Sequence, residues 1–98
     1  MNLEQKIYKA LILLDKGKED AAISCLKECI ANGEEDMLAC ARAHAILGHV
    51  YYELEQYADA INDLQYLIVN KEMLMQQYAD ALDEELESAQ ELLQEMRH

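Results

Sequence analysis

Cys25 and Cys29 stand four residues apart in this 98-residue chain, and so do Cys40 and His44. If each pair lies on a helix, two antiparallel helices present three thiolates and an imidazole, a donor set that zinc accepts. Laid on itself with a shift of 38, the chain sets Cys25 against polar Asp63, so Cys25 is expected to point away from Cys29, and no metal is expected. The three cysteines are odd in number and lie inside helical patterns, which speaks against a disulfide framework and for reduced thiols in a core. His49, with Tyr52 and Glu53 one turn on, is the other chemical candidate, as a general base. No nucleophile elbow, glycine-rich phosphate loop or paired-carboxylate motif accompanies it, so neither a catalytic residue nor a cofactor is expected.

What must position these residues is helical. The chain has no proline, only three glycines and 52% apolar residues. Its length allows one domain near the lower limit for a core without staples. The formal charge of -12 repels a phosphate backbone and an anionic membrane alike. No apolar run reaches the length of a membrane span, and Lys6, Lys9 and Asp15 interrupt the first apolar segment, unlike a signal peptide. The expected setting is the cytosol, with neither nucleic acid nor membrane as a partner.

Leu3, Ile7, Ala10, Leu11 and Leu14 recur at helical spacing behind Asn2 and Gln5, a capping pair, and the helix they predict ends at Lys16-Gly17. A second carries Ala22, Ile23, Leu26, Cys29 and Ile30 and stops at Asn32-Gly33. The acidic run Glu34, Glu35 and Asp36 suits the start of a third, over 36–54. A fourth spans 57–69 after a break at Glu55-Gln56. From 71 to 97 nothing in the sequence interrupts a single long helix of about 40 Å.

The shift of 38 pairs Ala10 with Gly48, Leu13 with Tyr51, Ala22 with Ala60, Ile23 with Ile61, Leu26 with Leu64 and Ile30 with Ile68. This is an internal repeat of a helix hairpin, over about 3–33 and 36–70. The second copy, with Leu47-Gly48, Tyr51, Tyr57 and Ala60-Ile61, resembles a tetratricopeptide repeat. It departs from that family at His44, where tryptophan or leucine is favoured, at Leu67, where alanine is favoured, and in lacking a closing proline. The longer period reads as one extra turn at the start of the third helix or as a longer loop at Asn32 to Asp36. The resemblance implies an all-α superhelix of two hairpins. In it Ala10, Ala22, Gly48 and Ala60 allow close helix approach, and Tyr51 and Tyr57 fill the flanking space.

It also implies a concave groove lined by the first helix of each hairpin. Carried over to this sequence, the groove positions are Glu4, Ile7, Leu11, Leu14 and Asp15, then Arg42, Ala45, His49, Tyr52 and Glu53. The lysine and asparagine clamp with which some members hold a peptide carboxylate is absent from these places. Ile7, Leu11, Leu14 and Tyr52 instead suggest a trough for an apolar helical or extended segment.

Two hairpins bury little by themselves, and the last helix is expected to cover them, with Met73, Met75 and Tyr78 against the fourth helix. Met75, Ala79, Leu82, Leu86, Ala89, Leu93 and Met96 form a heptad seam along it. That seam has two readings: a core-facing stripe on a capping helix, or a projecting surface in which Leu82, Leu86, Ala89 and Leu93 pair with another helix. For the trough, the alternative to a partner is that this last helix folds back into it. The functional expectation is a protein-protein interaction module, an adaptor or chaperone-like protein that shields an apolar segment of a partner. The alternative is a structural homodimer joined through the last helix.

Overall fold

In a computed structural model, residues 2–33 and 36–97 are described. They form α1 (Leu3–Asp15), α2 (Glu19–Ala31), α3 (Met37–Glu53), α4 (Tyr57–Val69), α5 (Lys71–Tyr78) and α6 (Asp83–Met96). The chain is all-α, and no strand occurs among the described residues.

Local chemistry accounts for most helix ends. Asn2 and Gln5 form the expected capping box, the Gln5 amide donating to Asn2 Oδ1 at 2.8 Å and the Asn2 amide to Gln5 Oε1 at 3.1 Å. Asp36 Oδ1 accepts from the Ala39 amide at 3.0 Å and caps α3; Glu34 and Glu35 lie outside the described residues. The repeat of 38 is kept to the residue in α2 and α4, which start at 19 and 57 and end at 31 and 69. Even their C-caps match. Asn32 Nδ2 donates to the Glu28 carbonyl at 2.9 Å, and Asn70 Nδ2 to the Tyr66 carbonyl at 2.7 Å. α3 has 17 residues against 13 in α1, so the extra turn stands at the start of the third helix.

α3 sits at the centre. Its sequence is apolar nearly all round, the pattern of a helix buried on more than one side. Ala39, Ala43, Leu47 and Tyr51 join α1 and α2 in one core, and Ala41 and Ala45 join α4, α5 and α6 in another. α3 and α4 approach closely where expected. A Cβ built on Gly48 would lie 2.5 Å from Leu64 Cγ, well inside van der Waals contact. Gly33 is tight as well, with a built Cβ 2.8 Å from the Cys29 carbonyl oxygen.

The single helix expected over 71–97 is instead two. Ala79 takes φ 51°, ψ -123°, and the chain turns back so that α6 lies across α4 and the edge of α3. A straight helix would overrun the molecule, whose longest principal extent is 33 Å. Holding a non-glycine residue at such angles costs on the order of 1–3 kcal/mol. Burying Leu82, Leu86 and Leu93 returns about 1.5–3 kcal/mol each, so the return packing wins. The break also moves the register: Met75 and Ala79 are exposed, Met73 and Tyr78 are half-buried, and Leu74 takes the buried place against the core that Met75 was expected to fill.

Candidate binding surface

α6 runs beside α3, with Ser88 next to His49 and Glu95 next to Tyr52. It holds to α4 and α3 the place that α3 holds to α2 and α1. α1, α3 and α6 thereby share one face. Glu4 on α1 pairs with Arg42 on α3 at 3.6 Å. His49 Nε2 meets Ser88 Oγ at 2.9 Å, and the Tyr52 hydroxyl donates to Glu95 Oε2 at 3.2 Å. That carboxylate, by accepting the bond and by its charge, holds the Tyr52 phenol above its ordinary pKa.

The residues expected to line the groove divide. Glu4, Leu11, Asp15, His49 and Glu53 are exposed, and Leu14, Arg42 and Tyr52 are half-buried. Ile7 and Ala45, at 8% and 5% exposure, belong to the two cores, and Ile7 still lines the floor of a depression between α1 and α3. Ala45 is covered because α4 and α6 close over that side of α3, and Ile7 because α1 leans on α2 and α3. Two residues that the groove positions did not include are open: Tyr8 and Ile12, at 67% and 40% exposure, beside Leu11 at 45%. Their signal was present in the sequence as apolar residues outside the stripe of an amphipathic helix. Glu4, Ile7, Tyr8, Leu11 and Arg42 line a shallow depression of about 170 Å³, and Leu14, Glu19, His49, Val50, Glu53 and Leu54 line a larger one of about 450 Å³.

Ala10, Ala22, Gly48, Tyr51 and Ala60 are buried as the repeat requires. Tyr57 is not. It is 46% exposed, because as the first residue of α4 it stands at the rim of the turn, edge-on to Tyr52 with ring centroids 5.8 Å apart. Leu82, Leu86, Ala89 and Leu93 are buried in the chain's own core, as the capping-stripe reading has it.

The candidate donor residues go separate ways. Cys25 does not point away from Cys29: both are buried on the α1 side of α2, Cys25 Sγ donating to the Lys6 carbonyl at 3.2 Å and Cys29 Sγ to the Leu3 carbonyl at 3.8 Å. The repeat register itself holds there, since Cys25 meets Lys6 on α1 as Asp63 meets His44 on α3; contrary to expectation, the polar residue at that place does not face away. Cys40 Sγ turns to the Gly33 carbonyl at 3.1 Å. His44, on the same helix, faces α4 instead, with Nδ1 2.9 Å from Asp63 Oδ1 and its ring stacked on Tyr66 at 3.9 Å. Desolvation raises the Cys29 and Cys40 thiols above their ordinary range, and it raises the Tyr66 phenol likewise. His49 touches Ser88 rather than Glu53, so the turn-mates suggested for a general base do not assemble.

No protein-family model matches the chain, and no curated protein or solved structure matches it either. Among the described residues no helix is long and apolar enough to cross a membrane.

Proposed function

We propose that this chain is a protein-protein interaction module of tetratricopeptide type, an adaptor or chaperone-like protein of the cytoplasm. Its partner is an apolar helical or extended segment of another protein, held along α1 and α3. One observation carries the reading: Tyr8, Leu11 and Ile12 form an apolar patch in the open on α1, outside the stripe that α1 gives to the core. Apolar side chains grouped on an otherwise highly charged surface mark a place where something docks. The exact repeat of α2 in α4, the small residue at Gly48 and the shared face of α1, α3 and α6 support the family resemblance.

The patch also sets the chemistry of the partner. Leu11, Leu14 and Leu54 offer apolar contact, and the Glu4–Arg42 pair offers one polar anchor at the rim. A partner helix would present apolar residues at i, i+3 and i+4 to this face. The homodimer reading through Leu82, Leu86, Ala89 and Leu93 would require α6 to leave α4 first.

Selection from a library of amphipathic peptides, followed by titration of the selected peptide against wild type and Leu11→Asp, tests the proposal. Binding weakened at least about tenfold with unchanged helicity is the expected result. Equal affinity for the variant would refute the groove, and a stable dimer by sedimentation at micromolar concentration, abolished when Leu86 and Leu93 are made polar, would favour the alternative.

A further inference from the structure

The turn between α3 and α4 and the end of α6 meet at a notch of about 280 Å³ lined by Tyr52, Tyr57, Glu95 and Met96. Its two rings stand at 61° to one another with centroids 5.8 Å apart, forming two walls of an aromatic corner. The Tyr52 hydroxyl donates to Glu95 Oε2 at 3.2 Å, which fixes the carboxylate at the edge of that corner. Tyr57 is an exposed residue with no core to fill, so its ring is available to a ligand.

The charges around the notch are predominantly negative, with Arg97 the one basic residue beside it in sequence among the described residues. α3 ends at Glu53 and α6 at Met96, so two negative helix ends converge, and neither has a basic residue in its last turn. The start of α4 offsets one of these ends. The other adds to Glu53, Glu55 and Glu95, all close in sequence to the notch. Arg97 lines a different groove, with Ile68 on α4. An aromatic face beside a carboxylate, in a field of negative charge, attracts an ammonium or guanidinium group through the ring quadrupole and the charge together.

We infer that this notch is a cation-recognition site that receives a lysine or arginine side chain of a bound protein. It rests on the binding-module reading only in that the cation is carried by a protein partner. The site gives the apolar groove a polar address: the partner segment carries a basic residue that reaches the α3–α4 turn when its apolar residues lie on α1 and α3.

The test is an NMR titration of the labelled full chain with N-acetyl-lysine N-methylamide, using the norleucine analogue as the control that lacks the ammonium group. Amide shifts are expected in residues 52–57 and 94–97, with the lysine compound binding at least about five times more tightly than the norleucine one. Tyr57→Leu and Glu95→Gln should each weaken it about three- to tenfold, both being exposed substitutions that leave the fold intact. Leu11→Asp should leave it unchanged, which separates failure of the notch from failure of the groove. Equal binding of both compounds, or shifts spread over Glu84, Glu87 and Glu91 and indifferent to Tyr57→Leu, would overturn the site.

Discussion

The two hairpins have nearly the same backbone and different means of making it. At the end of α1, Gly17 takes φ 74°, the Lys18 amide donates to the Leu13 carbonyl at 2.9 Å, and the Gly17 amide donates to that of Leu14 at 3.0 Å. At the end of α3, Glu55 takes φ 62°, Gln56 donates to Tyr51 at 2.8 Å and Glu55 to Tyr52 at 3.0 Å. Both are the same left-handed helix stop, with glycine in one and glutamate in the other. Between the helices the economy runs the other way. The first hairpin sets buried Ala10 where the second needs Gly48, since Leu64 occupies the space a side chain would take. The geometry is repeated, and the glycine moves to wherever that copy is tightest.

The largest effect that would break this comparison is Gly48→Leu. It should lower stability by about 3 kcal/mol, read from urea unfolding, because the clash falls on the fully buried Leu64. In a Leu64→Ala background the sign should reverse for Gly48→Ala, which then gains about 1 kcal/mol of helix propensity over Leu64→Ala alone. If it still destabilised, Leu64 would not be what excludes a side chain there. Gly33→Ala should cost about 1–3 kcal/mol, since the new methyl meets the Cys29 carbonyl, a backbone atom that cannot swing aside. Glu55→Gly should stabilise by about 0.5–1 kcal/mol and raise the melting temperature, while Gly17→Ala should lose about as much.

An alkaline effect vanishes at neutral pH. Cys29 and Cys40 have thiols raised by desolvation, so the unfolded chain loses these protons before the folded one does. The stability they contribute is whole below the ordinary thiol range and falls as pH rises through it toward the shifted values. The thiol contribution to the urea midpoint should therefore be flat below about pH 8 and drop above that, and alkylation of these thiols in the folded chain should be slow. A Cys29→Ala, Cys40→Ala variant should flatten the thiol part of the drop. The Tyr52 phenol, raised first by Glu95, adds a further loss at higher pH that Glu95→Gln should reduce.

Much of the fold was legible because local signals and the repeat agreed. Asn2 with Gln5, the stop at Gly17, the break at Glu55-Gln56 and the small residue at Gly48 each depend on a few neighbours in sequence. The site was legible in part. Leu11, Leu14, Arg42, His49, Tyr52 and Glu53 are exposed or half-buried, Ala45 lies in the core, Ile7 is nearly covered but floors a depression, and Tyr8 and Ile12 stand in the open. Groove positions follow helix register, whereas exposure follows which helix lies over them.

Sequence by itself determined the all-α character, the first four helices and the repeat of 38, because composition, capping groups and periodicity act within a turn or two of the chain. Only the tertiary structure decided that the last segment breaks at Ala79 and that its apolar seam is spent on the chain's own core. It also decided that Tyr57, Glu95 and the two helix ends meet at one corner. No residue between 71 and 97 is a helix breaker, so the turn exists only because burying leucines against α4 and α3 outweighs the strain of making it.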